Sequence, residues 1–147
     1  MGTVVQLKKQ INNSYFQLKN SVEDKLLLVE EKIKSKLISD VDLVQKMTGY
    51  HLETGGKRLR ALLTLGSAKI CGYSKGTRDI NLAACVELIH AATLMHDDVI
   101  DASYLRRGKK TLNKIWGNHS SVLAGDYLLS RCFEMMVEDG NLEVLKL

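Results

Sequence analysis

Between residues 4 and 18 the apolar side chains Val4, Leu7, Ile11, Tyr15 and Leu18 step by three and four, the spacing that keeps one face of an α-helix apolar. A second helix is predicted from Ser21, where Ser21-x-x-Asp24 has the form of a capping box, through Leu26, Val29, Ile33 and Leu37. A third follows Ser39 or Asp40, with acidic residues in its first turn to suit the helix dipole and with Leu43, Val44 and Met47 inward. The pattern breaks at Gly55-Gly56. It resumes as a helix from about Lys57 to Cys71, apolar at Leu59, Leu62, Leu63 and Ile70, with Gly72 placed to stop it.

The segment from Arg78 to about Ser103 is the longest predicted helix. Its middle, Ala83 to Val86 and Leu88 to Met95, is apolar on every side, as expected of a helix at the centre of a bundle. A basic loop, Leu105 to Lys110, separates it from a helix predicted over about Ser120 to Glu138, ahead of Gly140. From Asn141 a further helix opens and reaches Leu147 after about a turn and a half, so the chain reads as unfinished.

Composition narrows the picture. The 147 residues contain no proline where average usage gives about seven, which favours long helices over a turn-rich β architecture. A chain of this length buries about 70% of its unfolded surface and needs no disulfide or structural metal to hold a core. Cys71, Cys85 and Cys132 are odd in number and lack a CxxC pair, which suits a reducing compartment such as the cytoplasm. No run approaches 18 apolar residues, so no transmembrane segment is expected. The start, Met1-Gly2-Thr3-Val4-Val5-Gln6, lacks a signal-peptide core and a myristoylation Ser or Thr, and the first arginine is Arg58, which argues against an Arg-rich transit peptide. With 21 Lys+Arg against 17 Asp+Glu, the net charge of +4 is too small and dispersed to indicate nucleic acid.

The chemistry lies at the end of the central helix, His90-(x)5-His96-Asp97-Asp98-Val99-Ile100-Asp101. Asp97 and Asp101 fall four apart on one face with Asp98 beside them, and like charges so placed destabilise a helix unless something neutralises them. Hard carboxylate oxygens with few other protein ligands suit Mg²⁺, which keeps waters and completes its shell with phosphate oxygens. Alone, such a cluster is as readily a solvated helix end. Two neighbours tip the balance. Arg106-Arg107-Gly108 follows closely, and Gly55-Gly56-Lys57-Arg58-Leu59-Arg60 sets a glycine pair before a helix N-terminus bearing three cations. Glycine lets backbone amides approach an anion, the helix dipole favours it, and Arg forks bind phosphate oxygens in pairs. A tight turn, a solvated loop or a snorkelling helix start explains each basic element singly, whereas their combination with the aspartates points to diphosphates. His90, two helical turns before Asp97, lies on nearly the same face; His96 points elsewhere and is read as structural.

In this order, Gly55 to Arg60, the DDxxD of Asp97 to Asp101, Arg106-Arg107-Gly108, Trp116-Gly117-Asn118 and Ala124-Gly125-Asp126 resemble the N-terminal half of a trans-type polyprenyl diphosphate synthase, near the octaprenyl and heptaprenyl branch. The resemblance covers essentially the whole chain. It implies an all-α isoprenoid synthase helical bundle, here truncated, with residues 1–147 the N-terminal part of a single polyprenyl synthase domain. It implies Mg²⁺-dependent condensation of isopentenyl diphosphate with an allylic diphosphate to a long-chain all-trans product used for quinone side chains, carried out by a homodimer. Asp97 and Asp101 match the family's Mg²⁺ ligands, and Asp98, the middle member, completes the catalytic motif. Lys57, Arg60, His90 and Arg107 match contacts to isopentenyl diphosphate, and Arg106 matches the contact to the allylic diphosphate. Family members with short products carry aromatic residues four and five positions before the first aspartate, where this chain has Thr93 and Ala92. Small side chains there leave a channel open, and equally allow close helix packing.

Three departures stand out. Lys110 replaces a proline common in the family, which predicts a less rigid loop, and Tyr104 replaces an acidic residue. No second DDxxD occurs, since Asp40/Asp42 and Glu138/Asp139 have the wrong spacing. An HD-type phosphohydrolase, with His96-Asp97 as its pair and His51 and Asp126 as further ligands, leaves the Gly-Gly-Lys-Arg element unexplained. The non-enzyme alternative is a truncated or split-gene product, inactive alone or acting as a helical dimerisation partner that awaits a missing C-terminal half.

Overall fold

Helical periodicity becomes helix along most of the chain in a computed structural model, which describes residues 13–53 and 56–145. The predicted apolar positions Val4, Leu7 and Ile11, together with Gly55, lie outside the described residues. Helix α1 (residues 13–21) lays Tyr15 and Leu18 against the core. The elements that follow are α2 (Glu23–Lys36), α3 (Asp42–Glu53), α4 (Leu59–Ile70), α5 (Arg78–Ile100), strands β1 (Leu105–Arg106) and β2 (Lys109–Lys110), α6 (Leu112–Trp116), α7 (Asn118–Asp139) and α8 (Leu142–Leu145). None of the described helices is long and apolar enough to cross a membrane.

The largely apolar middle of α5 places it at the centre, packed on α2, α4 and α7. Its Ala83, Ala84, Leu88, Ala92 and Met95 are buried, and they meet Val29 and Ile33 of α2, Leu62 and Leu65 of α4, and Leu128 and Met135 of α7 in one core. Two close approaches hold α5 to α7. Cys85 and Cys132 are both buried, and each Sγ donates to the other's backbone carbonyl at 3.7 Å. Further along, the His96 ring lies over Gly125, its Nε2 3.2 Å from the Val122 carbonyl oxygen and 3.4 Å from Asp126 Oδ1. The Ala124-Gly125-Asp126 motif thus makes a seat for His96 between α5 and α7.

Several local expectations change. Ser21 is no capping residue: its Oγ donates back to the Leu18 carbonyl at 2.9 Å, and the N-cap of α2 is Val22, without a side-chain cap. Leu43 on α3 and Leu59, Leu63 and Ile70 on α4 are exposed, because Ala61, Leu62, Leu65 and Gly66 form the buried stripe of α4. Period alone does not say which of two apolar stripes faces inward. Gly72 does stop α4: its N–H reaches the Lys69 carbonyl at 3.1 Å and that of Tyr73 reaches Ala68 at 2.9 Å, the Schellman arrangement. The basic loop is an antiparallel hairpin pairing Leu105 with Lys110 and Arg106 with Lys109. Its central residues, Arg107 (φ 52°) and Gly108 (φ 80°), both adopt positive φ, as a type I′ turn requires.

The seat at Gly125 generates a test with an internal control. A Cβ at Gly125 would lie 2.3 Å from His96 Nε2, so Gly125→Ala is expected to destabilise by about 1–3 kcal/mol through overpacking. At Gly49, inside α3, an added methyl group would have nothing within 4 Å, and Gly49→Ala should show the opposite sign, a gain of about 0.5–1 kcal/mol. Urea titration of the two variants checks both signs.

Candidate functional site

The three aspartates at the end of α5 do not act as a unit. Asp97 and Asp101 are one turn apart and exposed, with no side-chain partner among the described residues. Asp98 is turned a further 100° around the helix and is buried. Its carboxylate accepts from Arg106: Nε donates to both oxygens at 3.1 Å, and Nη2 donates to Oδ1 at 2.8 Å. This forked pair fixes β1 against α5 and leaves the Arg106 Nη1 donors uncommitted among the described residues. Asn113 closes the same corner, donating from Nδ2 to the carbonyls of Asp98 at 2.9 Å and Ser103 at 3.1 Å. The hairpin is tied down at Lys110 as well, whose carbonyl accepts from Tyr50 Oη at 2.8 Å. Tyr104, where the family commonly has an acid, lies under the Lys114 ammonium at 4.5 Å.

The second basic element is organised in a parallel way. Arg58 takes a left-handed backbone (φ 46°, ψ 41°) at the N-cap of α4. Its guanidinium pairs with Glu30 of α2, with Nη2 3.2 Å from Oε2, and approaches Glu87 of α5, with Nη1 3.8 Å from Oε2. Glu87, itself buried, also accepts the Ala61 N–H through Oε1 at 3.0 Å. A protein carboxylate thus occupies the third amide of α4, so an anion at this N-terminus would have to use the amides that precede Ala61. Of the three cations there, Arg58 is committed to protein carboxylates. Lys57 and Arg60 are exposed and carry no side-chain partner among the described residues.

The two basic elements meet. The Arg107 guanidinium packs against Gly56, where a Cβ would come within 3.3 Å of Nη1. Gly56, Glu87, His90, Arg106 and Arg107 line one cavity, with His51 of α3 at its back. Burial, then the Arg60 charge, lowers the His90 pKa below the ordinary 6.5. Burial brings His51 to about 4, with Arg106 and Arg58 adding to the effect and Asp98 opposing it. Both shifts favour the neutral imidazole. The cations that line the cavity are Arg58, Arg106 and Arg107, and Lys57 and Arg60 are not among its lining residues.

The same sequence and fold recur among known proteins. Residues 41–147 match the family model described as polyprenyl synthetase. The chain belongs to the polyprenyl synthetase family. It is similar to the octaprenyl diphosphate synthase of Escherichia coli K12, 44% identical over 118 residues that cover 80% of this chain and 36% of that protein. It is 38% identical over 120 residues to the heptaprenyl diphosphate synthase component 2 of Geobacillus stearothermophilus, covering 82% and 37%. Among solved structures, a decaprenyl diphosphate synthase from Rhodobacter capsulatus superposes with a TM-score of 0.84 at 42% identity, over 88% of this chain and 40% of that one. A polyprenyl synthase from Caulobacter crescentus CB15, complexed with calcium and isoprenyl diphosphate, gives the same TM-score and identity over 88% and 39%. The chain thus has the isoprenoid synthase helical fold and spans less than half the length of these family members.

Glu87, His51 and Asn113 were not singled out from the sequence as parts of this site. Glu87 had a readable signal, an acid inside an otherwise apolar stretch of helix, which implies a buried partner. His51 and Asn113 had none, since their roles depend on α3 and α6 folding back on the end of α5.

The half-buried imidazole of His51 sets a pH dependence. The unfolded chain protonates His51 near 6.5 while the folded protein resists until about 4, so the unfolded state binds more protons in between. Stability is expected to be complete above pH 6.5 and to fall, by up to about 3 kcal/mol, as the pH drops toward 4. In urea titrations at stepped pH, His51→Gln should remove that share of the slope.

Proposed function

We propose that this chain carries the first half of the active centre of a polyprenyl diphosphate synthase, which condenses isopentenyl diphosphate with an allylic diphosphate. The observation that carries this reading is the packing of Arg107 on Gly56 beside His90, which joins two basic motifs about 50 residues apart in one cavity, about two turns of α5 from Asp97 and three from Asp101. Lys57, Arg60 and Arg107 neutralise the diphosphate of the isopentenyl substrate, and neutral His90 donates an N–H to it. Arg106, steadied by Asp98, offers its remaining donors to the allylic diphosphate. Asp98 thus works through Arg106 as a positioning group.

Among the described residues no three His, Cys, Asp or Glu side chains gather as a metal-holding group. Two exposed carboxylates one turn apart are nevertheless hard oxygen donors, and such a pair suits Mg²⁺ with waters and phosphate oxygens in the remaining positions. Asp97 and Asp101 would hold it. When bound, the ion supplies charge neutralisation to the departing diphosphate. The allylic C–O bond breaks with its electron pair on the diphosphate, the double bond of the second substrate closes the new C–C bond, and a proton passes to the released diphosphate. No side-chain nucleophile is required.

Ala92 is fully buried in the core and serves close packing, whereas Thr93 shares an exposed stripe with Ile89 and Ile100. The small Thr93 leaves that stripe unobstructed, which favours a long-chain product of the kind used in quinone side chains. The odd cysteine count suits a cytoplasmic reaction. A second reading, a helical partner that completes a dimer or binds a separately made second half, draws on the exposed Leu123, Phe133 and Val137 along one face of α7.

Chromatography of labelled products from the chain with Mg²⁺, isopentenyl diphosphate and farnesyl diphosphate tests the proposal, with and without a polypeptide carrying the remaining two-thirds of a family member. Product is expected in the completed enzyme, and Asp97→Ala should cut turnover at least about 10²-fold with the fold intact. Unchanged turnover in Asp97→Ala would refute the metal role; no product under either condition, with stable association, would favour the partner reading.

A further inference from the structure

The Glu30–Arg58–Glu87 cluster borders the cavity and plays no part in the chemistry just described. Glu87 reaches from α5 to the third amide of α4 and to Arg58, and Arg58 in turn grips Glu30 on α2. Arg58 holds a left-handed backbone that L-residues adopt at a cost, and its side chain makes no capping hydrogen bond to the first turn of α4. The start of α4 is therefore imposed from outside the helix, by a buried carboxylate one turn before His90 on α5. Lys57 and Arg60 flank Arg58 and Ala61 in sequence, so whatever fixes those two fixes where the neighbouring cations stand relative to His90 and Arg107.

The geometry points to Glu87 as a positioning residue for the basic diphosphate subsite, an inference that rests on the reading of that subsite given above. Glu87 holds the α4 amide and draws Arg58 onto protein carboxylates, so that the anion is bound by Lys57, Arg60 and Arg107 in a fixed arrangement. A negative charge beside an anion site weakens binding by simple Coulomb repulsion. A positioning role has the opposite sign: neutralising Glu87 loosens the subsite and weakens binding despite removing the repulsion.

This difference in sign makes the test. Inorganic diphosphate is titrated calorimetrically into the chain in metal-free buffer, with Arg60→Ala as the reference variant and thermal melts run in parallel. Glu87→Gln is expected to bind diphosphate about tenfold more weakly while still melting cooperatively. Unchanged or tighter binding in folded Glu87→Gln would overturn the inference, as would a lowered melting temperature with intact affinity, the mark of a purely stabilising role. Should Glu87→Gln not fold, Glu30→Gln, at a half-exposed partner of Arg58, decides in the same direction: weaker binding supports the role and unchanged or tighter binding overturns it. Wild-type chain that binds no diphosphate, or binds it as well after Arg60→Ala, overturns the subsite reading and this inference together.

Discussion

Buried acids on the central helix govern how everything else is placed. Helix α5 is covered by α2, α4 and α7, yet it carries Asp79, Glu87 and Asp98 at 4%, 7% and 4% exposure. An uncompensated carboxylate in such a position costs several kcal/mol, so each must recruit a cation or a donor. Each recruits from a different segment. Asp79 takes Lys25 of α2, Glu87 takes Arg58 and the first turn of α4, and Asp98 takes Arg106 of the hairpin. The apolar surface of α5 gives the bundle its core, while its acids determine which loops reach which end of the helix.

The same division explains the two basic doublets. In Lys57-Arg58 and in Arg106-Arg107, one arginine is held by a buried acid of α5 and so places its neighbour. An arginine gripped by a carboxylate gives the loop a defined position, which narrows the conformational range of the adjacent cation. A loop bearing only unattached cations would carry the same charge with no such preorganisation.

Much of this was legible in the sequence. The longer helices and their order follow from periodicity, the centrality of the segment around Leu88 follows from its apolar composition, and the ordered motifs pointed to the family to which the chain belongs, whereas the short α6 was not read from the sequence. The direction of each face was not legible, as Leu59, Leu63 and Ile70 demonstrate: both stripes of α4 are apolar, and only the neighbouring helices select Ala61, Leu62 and Leu65 for burial. Asp98 was grouped with Asp97 and Asp101 because adjacent acids look alike in a string of letters. Helical geometry separates adjacent residues by about 100°, enough to send one into the protein and leave the others outside. Ser21 failed as a cap for a related reason, since a hydroxyl that can bond back to the preceding turn competes with the forward bond that starts a new helix.

The cap on α4 has a consequence for the order in which the protein assembles. Ala61 and Glu87 are separated by 26 residues, so the first turn of α4 gains its terminal hydrogen bond only after α5 has docked. Local sequence cannot nucleate that end of the helix, and the Gly56–Arg58 loop acquires its shape late, as a product of core formation. Exchange of the Ala61 amide therefore requires breaking its bond to Glu87, which ties that amide to the packing of α4 on α5 instead of to the independent fraying usual at helix ends.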